Sequence, residues 1–263
     1  METDVVAAGY DAVFAAADGS PTLRRLWREQ ACGLDFPDDY HHISFTTLEQ
    51  LRLVETELRL TPDKALVDVG CGMAGPALWV AHHTGANLTG VDLSPVAVAL
   101  ANARAERLGL VGRARFVVGS FDATGLGTGS TDAIMSEDAL QYAPNKGAAF
   151  AEVARILRPG GRFVFTAFEL DPVRVAGLPI LGVDPVADYR PLLQEAGFTV
   201  DGYDEVPGWS KALTSAYSAL LEARDVLSTE MGAGAVAALL GEVALTLQVQ
   251  PYRRRVLVSS TRS

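Results

Sequence analysis

The sequence is poor in cysteine, in histidine and in positive charge. Among 263 residues there are two cysteines and four histidines. Cys32 and Cys71 form neither a disulfide framework nor a metal-ligand spacing, so a reducing compartment, the cytoplasm, is the expectation. Lys and Arg number 22 against 32 Asp and Glu, which leaves a net charge of -10 and a pI near 4.9. Affinity for nucleic acid comes largely from clustered basic side chains on phosphates, so nucleic acid is excluded as the main partner. The one tight basic run, Arg253 to Arg255, reads as the solvated start of a closing strand, RRRVLVSS. Long apolar runs are also missing. No stretch offers ~18 uninterrupted apolar residues. The N-terminus, METDVVAAGYDAVFAAADGS, opens on acids rather than on a basic leader, so neither export nor a membrane partner is expected.

What is present is a chain with 49% hydrophobic residues, enough for one domain with a sizeable core. Short apolar or β-branched segments at Leu66–Val69, Leu88–Leu93, Arg115–Val118, Ala133–Ser136 and Arg162–Ala167 alternate with helical patterns. That alternation predicts an α/β fold with a mostly parallel sheet and helices on both faces. Ser94 and Pro95 open a helix over Val96–Leu108, and Asn145 opens another that stops before Pro159, Gly160 and Gly161. A further helix is expected over Asp184–Gly197, followed by strands near Phe198–Val206 and Arg255–Ser259. Three parts are expected: residues 1–60 as an N-terminal helical lid, 61–207 as the core, and 208–263 as a helical cap insertion plus a final strand. The helical additions are read as a roof over the site. Simple coverage of apolar surface, or a homodimer contact, is the alternative.

The stretch ALVDVGCGMAGPALWV carries the strongest signal. Gly70, Gly72 and Gly75 satisfy G-x-G-x-x-G between a strand and a helix, and Asp92 follows at about the 20-residue offset of a ribose-binding acid. A nucleoside cofactor fits that spacing. Dehydrogenases use such a turn for pyrophosphate at a helix N-terminus, but Asp68 beside the turn would repel a diphosphate. A carboxylate there suits a cofactor carrying an ammonium and a sulfonium, with the turn's N–H groups left for one carboxylate. S-adenosylmethionine has those groups and no phosphate.

VDVGCGMAGPA, GVDLSPVAV, FVVGS with TDAIMSEDALQYAPN, and EVARILRPGGRFVFT resemble the successive motifs of the class I S-adenosylmethionine-dependent methyltransferases, particularly the small-molecule branch that acts on natural products and lipids. The resemblance covers about Thr61 to Val206. It implies a Rossmann-like, seven-stranded sheet with the last strand antiparallel, and S-adenosylmethionine as cofactor. It assigns Asp68, Gly70 and Gly72 to the methionine side, Asp92 to both ribose hydroxyls, Leu93 to one face of adenine, and Ser120 and Phe121 to the adenine edge. Where the family often has Gly and Asp, this chain has Ala74 and Ser120. YHHISFTTLEQLRLV resembles the segment that precedes the first motif in such enzymes, which adds Ser44 and Thr47 as cofactor contacts; both also suit a helix cap.

Methyl transfer is an in-line displacement in which positioning supplies most of the rate and a base is optional. The segment after the fourth strand carries Gln141 and Tyr142 and no histidine, so His41 and His42 are the candidate bases. Asp138 and Tyr142 are further catalytic candidates, because they follow a strand end. Tyr10, Trp27, Gln141 and Glu169 are candidates for binding a small-molecule acceptor. No oxygen-rich set of side chains suggests a metal. The expected activity is transfer of a methyl group to an O, N or C atom of a small molecule, plausibly in secondary metabolism. A cofactor-binding cyclase or non-catalytic partner, and a nicotinamide-dependent oxidoreductase, are the alternatives.

Overall fold

The computed structural model describes residues 11–263. Seven strands form one sheet in the order β3-β2-β1-β4-β5-β7-β6. They are β1 (Ala65–Val69), β2 (Asn87–Asp92), β3 (Ala114–Val118), β4 (Thr131–Glu137), β5 (Leu157–Leu170), β6 (Phe198–Glu205) and β7 (Arg253–Arg262). β1 to β5 are parallel, and β7 runs antiparallel between β5 and β6. The strand order reverses between β1 and β4, the switch point at which open α/β sheets bind ligands.

The helices begin where local chemistry sets them. Residues 11–17 are helical. Ser20 caps α1 (Pro21–Trp27), and Thr47 caps α2 (Leu48–Leu58) by accepting from the Gln50 N–H at 3.3 Å. α3 (Gly75–Thr84) follows the glycine turn. α4 (Pro95–Arg107) has Pro95 at its first position and the Ser94 hydroxyl as its cap. Asn145 caps α5 (Lys146–Ile156). The helix expected over Asp184–Gly197 shrinks to α6, Arg190–Glu195. Pro191 lies in the first turn of α6, the part of a helix where its missing N–H costs no hydrogen bond, so the helix does not extend back through 184–189.

Residues 208–249 fold as α7 (Trp209–Glu222), α8 (Arg224–Met231) and α9 (Ala233–Val249). By length and composition alone, Ala233–Tyr252 is apolar enough to cross a bilayer; here α9 buries Val236, Leu239 and Val243 in the core. The cap helices and the N-terminal segment pack on one another and on one face of the sheet. Trp27, Phe45 and Tyr217 meet there, with ring centroids 5.2 Å apart for Trp27–Phe45 and 5.7 Å for Phe45–Tyr217, and Phe168 and Trp209 extend the cluster. Ser20 and Thr22 at the start of α1 donate to Glu230 of α8. The other face is closed by α5 and α6 over Phe150, Phe163, Phe165 and Tyr189.

Arg255 corrects the solvated reading of the basic run. Its side chain is 0% exposed and lies on the cap face of the sheet. Arg254 is exposed, and the Arg253 guanidinium lies over the Phe168 ring.

Candidate active site

The turn after β1 is built for close approach. Gly70 has φ 76°, and a Cβ there would lie 2.7 Å from the Ala139 Cβ and 2.9 Å from the Phe121 ring. A Cβ at Gly75 would collide with the Tyr40 and His41 carbonyl oxygens, so the third glycine seats the N-terminal segment on the start of α3. Phe14 lies over Gly72. Ala74 adopts φ 58°, the left-handed geometry that favours Gly.

Asp92 closes the turn from β2. Its Oδ2 accepts the Gly72 N–H at 2.7 Å and its Oδ1 the Ser94 N–H at 2.9 Å. Each oxygen keeps a lone pair, so a cis-diol can still donate to both. Burial raises its pKa, against the opposing pull of the Ser94 and Gly72 N–H bonds. The Ser94 hydroxyl also donates to Asp11 beside it. Leu93 is 37% exposed, open to a planar ligand. Ser120 donates to the Asp122 carboxylate at 2.6 Å, and Phe121 packs against the turn.

Asp68 is 3% exposed and faces the cap side. Its Oδ1 has no hydrogen-bond partner among the described residues. Burial, then Glu137, then Asp92 raise its pKa well above the usual carboxylate value. Glu137, the last residue of β4, is its neighbour. Asp68 pairs with Met135 across the parallel strands, and Glu137 lies two residues further on, on the same face. Glu137 Oε2 accepts from the Thr46 hydroxyl at 2.6 Å and from Thr166 at 2.9 Å, while Oε1 has no partner among the described residues. Burial pushes Glu137 up to about 7, assisted by Asp138 and opposed by the two threonines and Arg255. Two buried carboxyls, each with a bare oxygen, therefore flank the switch point.

The candidates after β4 have other duties. Asp138, at φ 52°, takes the Arg255 Nε–H on Oδ1 at 2.7 Å and the Phe45 N–H on Oδ2 at 2.8 Å, so both oxygens serve to pin the N-terminal segment. Gln141 donates to the Asp138 carbonyl, and its Oε1 is buried without a partner among the described residues. The Tyr142 hydroxyl donates to Glu242 of α9. Glu169 lies on the opposite face of the sheet, bonded to the Tyr203 hydroxyl and 3.1 Å from Arg254, because strand alternation turns it away from Phe168.

In the N-terminal segment, His41 meets Arg104 at 2.7 Å through Nε2 and the Asp38 carbonyl at 3.1 Å through Nδ1. Burial and Arg104 lower its pKa. Arg104, almost wholly buried, also donates to the His41 and Met73 carbonyls and so ties this segment to the turn. His42 is buried against Phe36 and pushed down to about 3 by burial and Arg104, so it is a neutral imidazole and a weak base. Its Nδ1 faces the Ser44 N–H and hydroxyl, and its Nε2 has no partner among the described residues. Nearby lies a cavity of about 30 Å³, room for one water, lined in part by Trp27, Phe36, His42, Ile43 and Met73. The Trp27 indole donates to the Ser44 carbonyl at 2.8 Å from within the aromatic core, which makes it packing for the cap. Thr47 caps α2. Tyr10 lies outside the described residues.

Sequence reasoning missed Glu137, Thr46, Gln50, Arg104 and Arg255. Glu137 had a signal: an acid at the end of a strand, in phase with the face that Met135 presents. The others are paired across the fold, and no local pattern marks them.

With this geometry in place, the comparisons are specific. Residues 67–165 match the family model described as a methyltransferase domain. The 27-O-demethylrifamycin SV methyltransferase of Amycolatopsis mediterranei is 28% identical over 78% of this chain and 79% of its own length. A sterol 24-C-methyltransferase of Gibberella zeae is 36% identical over 40% of this chain, and the chain spans 27% of that relative's length. Among solved structures, the cyclase SpnF superposes over 98% of this chain and 94% of its own, with a TM-score of 0.76 at 22% identity, a likeness of fold. Residues 67–165 are thus a methyltransferase domain, and the chain around it is similar in sequence and fold to S-adenosylmethionine-dependent methyltransferases of small molecules.

Proposed function

We propose that this protein transfers the methyl group of S-adenosylmethionine to an O, N or C atom of a small molecule, in the cytoplasm and as part of secondary metabolism. The observation that carries the reading is the pair of buried carboxyls, Asp68 and Glu137, each with a bare oxygen, next to a glycine turn and to a third acid with diol-binding capacity. A diphosphate would be repelled there; positive charge is what the cluster lacks.

When bound, S-adenosylmethionine supplies an electrophilic methyl on a sulfonium. The chain's own contribution is placement. Asp92 takes the ribose hydroxyls, Leu93 and Phe121 bracket adenine, and Asp122, held by Ser120, offers a carboxylate at the adenine edge. Asp68 and the N–H groups of the turn hold the amino-acid end. Relatives named for sterol and 27-O-demethylrifamycin SV methylation support a small-molecule acceptor. Excluding water and aligning the acceptor recovers ~7–11 kcal/mol of barrier without any base. That agrees with a His41 already engaged and a His42 too weakly basic to accept a proton at neutral pH.

The test is calorimetry with S-adenosylmethionine, S-adenosylhomocysteine and NAD, followed by a methyl-label screen of small-molecule extracts. Micromolar binding of both adenosyl compounds without NAD is expected. Comparable NAD affinity, or no adenosyl binding, would overturn the reading.

A further inference from the structure

Asp68 belongs to the glycine turn; Glu137 does not, and it is the residue whose presence the turn leaves unexplained. It stands at the mouth of β4, across the switch point from Gly70, with Oε2 fixed by Thr46 and Thr166 and Oε1 bare. Burying a second carboxyl beside Asp68 is unfavourable unless something positive joins them. The groups facing Glu137 are Asp68 from β1, Asp138 after β4, the Thr166 hydroxyl from β5, the Thr46 hydroxyl from the N-terminal segment, and Arg255 from β7. The one cation among them, Arg255, donates its Nε–H to Asp138, one Nη to Gln50 and the other to Thr46. No cation therefore bonds the bare oxygens of Asp68 and Glu137 among the described residues.

Charges can be matched along the cofactor. The ribose end lies at Asp92 on β2, and crossing the sheet from there leads over β1 to β4. S-adenosylmethionine carries two positive charges beyond its ribose, the sulfonium and the ammonium. S-adenosylhomocysteine, the product, keeps the ammonium alone. Two bare carboxyl oxygens thus match two cations in the substrate form of the cofactor and one in the product form.

Resting on the methyltransferase reading, we propose that Glu137 supplies the second negative charge of the cofactor site, answers the sulfonium, and makes the site favour S-adenosylmethionine over S-adenosylhomocysteine. A site with Asp68 alone would hold the two more nearly equally, and the product would compete more strongly with the substrate form for the site. Glu137 thereby acts in cofactor selection.

Calorimetry on the full chain tests this without any acceptor. In Glu137→Gln the amide oxygen keeps the Thr46 and Thr166 bonds, so the fold is expected to hold. The variant should lose about 10- to 100-fold in S-adenosylmethionine affinity and less than about 3-fold in S-adenosylhomocysteine affinity. Equal losses for both, or none, would overturn the proposal. A second readout uses the parent protein alone. Glu137, pushed up to about 7, is partly protonated near neutral pH, and a cation beside it drives that proton off. Binding at pH 7 in buffers of different ionisation enthalpy should release about half a proton more with S-adenosylmethionine than with S-adenosylhomocysteine. Equal release would overturn the proposal even if the variant failed to fold. If the parent binds neither compound, the methyltransferase reading falls and takes this inference with it.

Discussion

Two polar clusters lie side by side beneath residues 43–50. Around Arg255, each guanidinium nitrogen has an acceptor: Asp138, Gln50 and Thr46. Asp138 in turn spends its second oxygen on the Phe45 N–H. Around Asp68 and Glu137, two oxygens of the same burial have none among the described residues. The first cluster is complete within the chain and holds the N-terminal segment to the ends of β4 and β7. The second is incomplete, and the group that completes it has to come from outside. Satisfied buried charge builds architecture here, and the unsatisfied buried carboxyls are where the proposed cofactor site places its ligand.

The sharpest way to break that comparison is to remove the partner in the complete cluster. Arg255→Met leaves Asp138 buried and uncompensated, and loss of one member of such a pair costs roughly 3–5 kcal/mol. Urea unfolding monitored by circular dichroism should show it. A loss under about 1 kcal/mol would mean that the pair only decorates a cap held by its aromatic core.

The incomplete cluster should respond to pH instead. Glu137 has a folded-state pKa of about 7, above its ordinary 4.5. The stability this lends is full below about pH 4.5 and is lost as pH rises through 7. Between pH 5 and 8 it amounts to on the order of 2–3 kcal/mol. Unfolding free energies of the parent and of Glu137→Gln should therefore converge at one end of this range and diverge at the other, with the parent losing more as pH rises. Asp68 is shifted in the same direction and stays in both proteins, so some slope survives in the variant. Parallel curves would show that Glu137 is already charged in the folded protein.

Asp92 belongs to both descriptions, since it closes the turn through Gly72 and Ser94 and still has lone pairs for a diol. Asp92→Ala should weaken S-adenosylhomocysteine binding by about 10- to 1000-fold, with Asp92→Asn between. Unaltered affinity in a folded variant would remove the nucleoside assignment.

The contrast between the clusters also explains what the sequence could disclose. The strands, the glycine turn, the Ser94 and Asn145 caps and the offset to Asp92 are encoded within short windows, where periodicity and backbone chemistry act, and they were legible. Pro191 was legible too, but the apolar pattern over Asp184–Gly197 outweighed it and the helix was drawn too long. The Arg255–Asp138 pair joins residues 117 apart, and nothing local in RRRVLVSS tells a buried arginine from two that stay nearer solvent. Asp138 was chosen because it follows a strand end, yet the side-chain phase of β4 turns Glu137, one residue earlier, onto the face of Asp68. Placement of His41 and His42 on the cap side was readable. The engagement of His41 by Arg104 was not, because it depends on a contact between α4 and a segment 63 residues away.

Thr47 offers the smallest effect and separates two readings of one residue. As a cofactor contact, its hydroxyl would be spent on the ligand; as a cap, it satisfies the Gln50 N–H, one of the donors that α2 leaves free at its start. α2 carries Gln50, which receives Arg255, and it buries Leu51, Val54 and Leu58 in the cap-side core, so fraying at its first turn loosens the edge of the complete cluster. Thr47→Ala should lower unfolding free energy by about 1 kcal/mol, with Thr47→Ser recovering most of it, because Ser caps as well as Thr does. Affinity for S-adenosylmethionine should stay within about 2-fold of the parent in both, since the hydroxyl is committed to the backbone. A loss of affinity in Thr47→Ala without a loss of stability would reverse the assignment and move Thr47 from the complete cluster's support to the incomplete cluster's ligand.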